Sequence, residues 1–237
     1  MINEKISACG CRFGFIILLL IKFMMKSKNK IMKIIAFGNS LTVGLQIGFN
    51  GINPFKITPY TEFLEKIVSS YLISKKINLK VKFINIGVSG EHTDDMLLRI
   101  DRDVINQKPH YVIIIGGTND IGWYKKPNYI FQNLKKMYEK TKINNIEPVA
   151  CTIPSILGFD EFISPRIELN EQIRNEANRM KLWFVDLFSS TTEPNTNRLL
   201  DKYSSDGLHL NTEGYKKLAE TLFDEWLKTI LDLYYNS

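Results

Sequence analysis

Hydrophobic positions along the chain alternate between short apolar runs and amphipathic stretches. From Lys33 the chain passes through Ile34, Ile35, Ala36 and Phe37 and then changes abruptly to Gly38-Asn39-Ser40-Leu41-Thr42. An apolar run of that length closed by glycine suits a buried strand. After Gly44 a polar, glycine-containing stretch leads to Pro59. Tyr60 to Tyr71 then places Phe63, Leu64, Ile67, Val68 and Tyr71 at spacings of three and four, which predicts a helix. Val81 to Ile86 predicts a second strand, ending in Gly87-Val88-Ser89-Gly90, and Glu91 to Asn106 a helix with Met96, Leu97, Ile100, Val104 and Ile105 on one side.

The clearest strand signal follows Pro109: Tyr111-Val112-Ile113-Ile114-Ile115, closed by Gly116-Gly117-Thr118-Asn119-Asp120. Asn128 to Lys142 reads as helix and Val149 to Ile153 as a fourth strand. Ser155 to Ser164 is a loop with more apolar residues (Ile156, Leu157, Phe159, Phe162) than solvent contact favours. Pro165 opens a helix to about Lys181, since proline is tolerated in the first turn. Leu182 to Leu187 is a fifth strand, and Thr212 to Leu233 the last helix, with Thr212 as its expected cap. Strands alternating with helices imply right-handed βαβ units, hence an α/β fold with a parallel sheet covered by helices on both faces.

With 237 residues, the chain accommodates one α/β domain, over residues 32–237, preceded by a leader over residues 1–31. Its net charge of +6 loses significance once located. Seven of the 31 Lys and Arg but only one of the 25 acidic residues fall before Ile34, leaving a neutral body. A nucleic-acid partner, which requires a basic face, is therefore not expected. Three cysteines, Cys9, Cys11 and Cys151, cannot build a disulfide framework, and Cys151 sits in an apolar run that reads as core. No His/Cys pair has metal-ligand spacing, so no metal and no cofactor are expected.

Phe13 to Met25 is apolar but broken by Lys22, shorter than the roughly 20 residues of a membrane span. Its positive charges follow the apolar part, the reverse of a signal peptide. Ile6-Ser7-Ala8-Cys9 resembles a lipoprotein acylation site only superficially, because no apolar stretch precedes it. The expectation is a cytoplasmic protein whose leader is disordered or, as the second reading, tethers it weakly to a membrane through residues 13–25. Translation from Met32 is a third reading.

In a parallel sheet the loops after the first three strands share one edge, where ligands bind. Those loops carry Ser40, Gly90 and Asn119. A fourth polar loop, Ser204-Ser205-Asp206-Gly207-Leu208-His209, precedes the last helix and could bring a carboxylate and an imidazole together. Serine-based hydrolysis needs a nucleophile, a general base and a group that holds the base's tautomer. Ser40, His209 and Asp206 supply these types. It also needs donors for an oxyanion, for which the Asn119 carboxamide and the N–H groups of Ser40 and Gly90 are candidates. Taken singly, each has an ordinary reading as a turn, a cap or a surface histidine.

Four blocks occur in order: Gly38-Asn39-Ser40-Leu41-Thr42, Asn85-Ile86-Gly87-Val88-Ser89-Gly90, Gly117-Thr118-Asn119-Asp120 and Asp206-Gly207-Leu208-His209. In this set the chain resembles the SGNH, or GDSL-type, hydrolases, over about Met32 to Leu233. The resemblance implies a three-layer α/β/α sandwich, flavodoxin-like, with a five-stranded parallel sheet. It implies Ser40, Asp206 and His209 as the catalytic triad, and Ser40, Gly90 and Asn119 as the oxyanion hole. The implied activity is hydrolysis of small or medium acyl, aryl or carbohydrate esters. Thioesterase or lysophospholipase activity, O-acyl transfer by the same triad, and an inactive binding module are the alternatives. Asn39 departs from the family's usual Asp, yet keeps an oxygen acceptor for loop N–H groups. The Gly-x-Ser-x-Gly elbow is not matched, since Thr42 stands at its second glycine, and no Gly-Lys-Ser/Thr supports a P-loop. Leu45 to Pro59 and Ser155 to Ser164 are expected to flank the site, with Phe49, Phe55, Ile156, Leu157 and Phe159 suited to an apolar acyl or aryl group.

Overall fold

A computed structural model describes residues 31–48 and 54–235. The leader readings, Cys9, Cys11 and Phe49 lie outside the described residues. Among the described residues seven strands form, β1 (Ile31–Gly38), β2 (Leu45–Ile47), β3 (Phe55–Ile57), β4 (Lys80–Asn85), β5 (Tyr111–Ile115), β6 (Glu147–Cys151) and β7 (Trp183–Val185). Five of them make one parallel sheet in the order β4-β1-β5-β6-β7, with Ile34 in register with both Phe83 and Tyr111. Met32, Ile34 to Phe37 and every residue of β5 are buried. This explains why these strands read as continuous apolar runs, since both faces of a parallel sheet are covered.

One covering layer holds α2 (Tyr60–Lys75) against α8 (Thr212–Leu222). The other holds α3 (Thr93–Asp103), α5 (Pro127–Ile143) and α6 (Ile163–Met180), packed in that order. The expected α/β/α sandwich with a five-stranded parallel sheet is therefore the observed architecture. From β1, inside the sheet, the described chain crosses to β4 on one side and returns to build the other with β5, β6 and β7. β1 and β5 therefore flank the switch point, outside whose carboxyl ends ligands bind.

Short helices the periodicity did not reveal are α1 (Ser40–Val43), α4 (Thr118–Gly122) and α7 (Leu187–Thr191). Elements of one turn carry no 3.6-residue pattern and depend on tertiary contacts. The stretch after Gly44 is likewise not plain loop. β2 and β3 pair antiparallel, and Tyr215 Oη donates to Leu45 O at 2.8 Å, tying the pair to α8. α6 begins two residues before Pro165, which a first turn tolerates because its N–H groups lack intrahelical acceptors.

The cap of α8 is Asn211, not Thr212: its side-chain oxygen accepts from Gly214 N at 3.0 Å, while Thr212 Oγ1 engages Gln46. A π-helical turn over Phe223–Leu227 separates α8 from α9 (Lys228–Tyr235), so the expected last helix is interrupted. Cys151 is a buried free thiol in β6. No described helix is long and apolar enough to cross a membrane.

Candidate active site

Ser40 opens α1 directly beyond β1. Asn39 caps that helix, its Oδ1 accepting from Leu41 N at 3.1 Å. Asn39 is fully buried and its Nδ2 has no hydrogen-bond partner. The asparagine therefore does supply the expected oxygen acceptor, but it leaves a buried donor unpaired that an aspartate would not have. Gly38 is required by close approach: a Cβ there would sit 2.2 Å from Ile115 O and 2.4 Å from Thr42 Oγ1. Only a bare backbone lets the serine-bearing turn lie flat against β5.

The second block is knitted to the first through hydrogen bonds. Val88 N donates to Gly38 O at 2.9 Å, and Asn85 Nδ2 donates to Thr42 O at 2.6 Å. Gly90 adopts φ +78, a left-handed conformation suited to glycine, and lies exposed. The neighbouring carbonyl, Glu91 O, accepts from Asn119 Nδ2 at 2.8 Å, so the two expected oxyanion donors sit on loops joined at that point.

Asp120 is fully buried and fixes this junction, accepting from Thr93 N at 3.0 Å and Thr93 Oγ1 at 2.9 Å. Beneath it Glu91 and Arg99 form a bidentate pair, Nη2–Oε2 at 2.6 Å, with side-chain exposures of only 6% and 9%. The Arg99 guanidinium also lies 4.3 Å from the Phe37 ring centroid and donates to Gly38 O. Asp120 falls in the third block with no role of its own to read from the sequence, and the Glu91–Arg99 pair does not stand out, because charged residues near a helix start read as a solvated face.

In the fourth block, Asp206 and His209 are brought together, with His209 Nδ1 2.8 Å from Asp206 Oδ2. Asp206 Oδ1 accepts from His209 N at 2.7 Å and Leu208 N at 3.0 Å, closing the turn around its own carboxylate. Ser204 Oγ, which accepts from Gly207 N and donates to His209 O, braces the same loop. Burial would raise the Asp206 pKa, but the hydrogen bonds from His209 and the two backbone N–H groups outweigh it and hold the carboxyl below its ordinary value. Gly207, at φ +83, has its Cβ direction filled by Leu157 O at 2.2 Å, so the histidine loop seats against the loop after β6 only with glycine there. No hydrogen bond joins Ser40 Oγ to His209 among the described residues.

A cavity of about 270 Å³ opens beside Asn119, lined by Thr118, Trp123, Ile156, Phe159, Phe162, Arg166 and Leu208 among others. Asn119 and Leu208 place it between the third and fourth blocks. Ile156 and Phe159 line it as expected, whereas Leu157 packs on the core and Phe55 lies exposed on β3 outside it. Trp123 and Arg166 are site residues that the sequence pattern does not single out. His92, Asp94 and Asp95 have ligand atoms within 4.8 Å of one another, the one cluster among the described residues suited to a cation. Asp94, however, already accepts from Lys125 Nζ and Tyr129 Oη.

An α/β sandwich with polar loops gathered at its switch point defines the class of protein. Comparison with known proteins then gives the family. The model of the GDSL-like lipase/acylhydrolase family matches residues 36–217, and the chain belongs to that family. Among solved structures it is similar to the lipase/acylhydrolase of Enterococcus faecalis, with a TM-score of 0.67 and 22% identity, covering 85% of this chain and 96% of that one. It is also similar to a variant of Axe2, an acetyl xylan esterase from Geobacillus stearothermophilus, with a TM-score of 0.69 and 20% identity over 83% of this chain and 95% of that one. Among curated proteins it is 38% identical over 82 residues to the lipoprotein YqeF of Bacillus subtilis, covering 32% of this chain and 34% of that protein. It is 27% identical over 153 residues to the N-acylneuraminate cytidylyltransferase of Escherichia coli, covering 62% of this chain and 36% of that enzyme. The chain thus spans about a third of the length of these curated relatives.

Proposed function

We propose that the protein is a serine ester hydrolase working through an acyl-enzyme. Ser40 Oγ attacks the ester carbonyl carbon as His209 Nε2 takes its proton. Asp206 holds the imidazole with Nδ1 protonated and stabilises the imidazolium. The oxyanion is received by the N–H groups of Ser40 and Gly90 and by Asn119, whose second amide hydrogen is left over from the bond to Glu91 O. Collapse of the tetrahedral intermediate breaks the bond to the alcohol oxygen, which takes the proton from His209. Water, deprotonated by the same imidazole, then attacks the acyl carbon, releases the acid and returns the proton to Ser40.

The observation that carries this reading is the Asp206–His209 pair at 2.8 Å, whose carboxylate is also fixed by the backbone N–H groups of Leu208 and His209. A histidine held in one tautomer on a loop facing an apolar cavity is the arrangement a general base needs. Esters of carbohydrate or aryl alcohols suit that cavity. Trp123, 75% exposed at its mouth, offers a flat face for a sugar or aromatic ring, and an acetyl xylan esterase shares the fold. The test is hydrolysis of 4-nitrophenyl acetate and butyrate by the wild type and by Ser40→Ala. Loss of turnover with an unchanged circular dichroism spectrum is expected, and undiminished turnover in the variant would refute the assignment.

A further inference from the structure

Arg166 is the most unusual charged residue in the fold. Its relative exposure is 1%, and its only hydrogen bond among the described residues runs from Nη1 to Phe162 O at 3.1 Å. Nε is buried without a partner, and no carboxylate pairs with the guanidinium among the described residues. Buried charges are ordinarily paired, because taking a lone ion out of water is strongly unfavourable. Its position sharpens the anomaly. Arg166 stands in the first turn of the long helix α6, which has no acidic residue there, so the positive end of the helix dipole adds to its charge instead of opposing it. Burial pushes its pKa down to about 10, which still leaves it a cation at neutral pH.

A second partnerless donor belongs to a residue of the same lining. Thr118 also lines the cavity, is 5% exposed, and its Oγ1 is buried with no partner. The Nε of a guanidinium and a hydroxyl, neither with a partner, on two residues that line an otherwise apolar cavity next to Asn119 are complementary to an oxyanion. The volume of about 270 Å³ admits a group of several heavy atoms beyond the ester itself.

We propose that this cavity selects esters bearing a second, anionic group, a carboxylate or phosphate held by Arg166 and Thr118 while the ester carbonyl lies at Ser40 and Asn119. This rests on the hydrolase reading above and names its substrate class. The anion belongs either to the acyl part or to the alcohol part, and paired substrates separate the two. For the acyl side the pair is mono-4-nitrophenyl glutarate and its methyl ester; for the alcohol side, 4-acetoxybenzoate and its methyl ester.

The measured quantity is the ratio of kcat/KM for the anionic member to that for the neutral member. In the wild type one pair should give a ratio of about ten or more. Arg166→Met should lower that ratio at least tenfold, Arg166→Lys should retain part of it, and Thr118→Val should lower it severalfold. Ratios near one in the wild type for both pairs would overturn the proposal, and so would an Arg166→Met variant that slows both members equally. The wild-type ratio and Thr118→Val keep the test decisive should Arg166→Met fail to fold.

Calorimetric titration of the full chain with glutarate and with inorganic phosphate gives a readout independent of turnover. Binding by the wild type that is lost in Arg166→Met supports the site. Absence of binding by both anions, together with ratios near one, refutes it. Anion binding without hydrolysis of any ester would sink the hydrolase reading while keeping the anion site, whereas hydrolysis with no anion preference would sink the anion site alone.

Discussion

Replacing Asp206 by Asn tests the proposed machinery without removing any atom position. The carboxylate does two jobs with different oxygens. Oδ2 meets His209 Nδ1 at 2.8 Å, and Oδ1 accepts from His209 N at 2.7 Å and Leu208 N at 3.0 Å. An asparagine has one acceptor and one donor, so it can satisfy only one side. If its oxygen keeps the backbone donors, its NH₂ faces Nδ1 and forces the proton onto Nε2, which then cannot take a proton from the proposed nucleophile. Turnover then falls by about 10⁴, the cost of the wrong tautomer in a triad, with the loop intact. If the amide turns over, His209 keeps its tautomer but two backbone N–H groups lose their acceptor, at about 1–3 kcal/mol each.

The first arrangement preserves both backbone bonds and is the expected one. The assay is turnover of 4-nitrophenyl butyrate at saturation together with the melting temperature. Turnover should drop at least about a thousandfold while Tm stays within about 3 °C of wild type. A drop under tenfold at unchanged Tm would refute the assignment of Asp206 as the residue that holds the base.

Other outcomes follow from the same contacts. Asn119→Ala should slow turnover about a hundred- to a thousandfold if its amide serves the oxyanion, and a loss under threefold would remove it from that role. Glu91→Gln leaves Arg99 buried with Asp103, 3.2 Å away, as its one charged partner among the described residues. Breaking a buried pair costs about 3–5 kcal/mol, the remaining contact favours the lower end, and calorimetry should show Tm falling by roughly 6–12 °C. A change under 2 °C would show the pair to be dispensable. Burial would raise the Asp186 pKa, but Ser189, Thr152 and Arg174 hold it, like that of Asp206, below the usual value. A depressed folded-state pKa stabilises fully above the unfolded value near 3.9 and ceases to do so as pH falls through the folded one. Tm should therefore be flat on their account from about pH 5 to 8 and drop below about pH 4. Asp186→Asn should shrink that acid drop, and an unchanged drop would contradict the linkage.

The parts of the fold that could be read from the sequence are those with a period of their own. β5 is unmistakable because both its faces are buried, and the loops that end in glycine mark the functional edge because close approach leaves no room for a side chain, as at Gly38. The pairing of β2 with β3 is not legible, since Leu45-Gln46-Ile47 and Phe55-Lys56-Ile57 alternate over only three residues each, too short a run to separate a strand from a loop. Asp206 and His209 can be paired from their spacing, because a tight turn confines both.

Arg166 cannot be found this way. Flanked by Pro165 and Ile167 at the start of an amphipathic helix, it reads as a solvated residue, and only the loop after β6 folding over α6 encloses it. Trp123 follows the one-turn helix α4, whose existence depends on Asp120 reaching Thr93 across the sheet edge. Both belong to long-range packing, which local pattern does not encode.

A nucleophilic Ser40 is detected most directly by covalent capture. The native protein should be treated with a fluorophosphonate, followed by intact-mass and peptide analysis. One adduct per chain is expected, on the peptide containing Ser40, absent in Ser40→Ala and strongly slowed in His209→Ala. A natively folded protein that takes no label, or a Ser40→Ala variant labelled as fast as wild type, would contradict it.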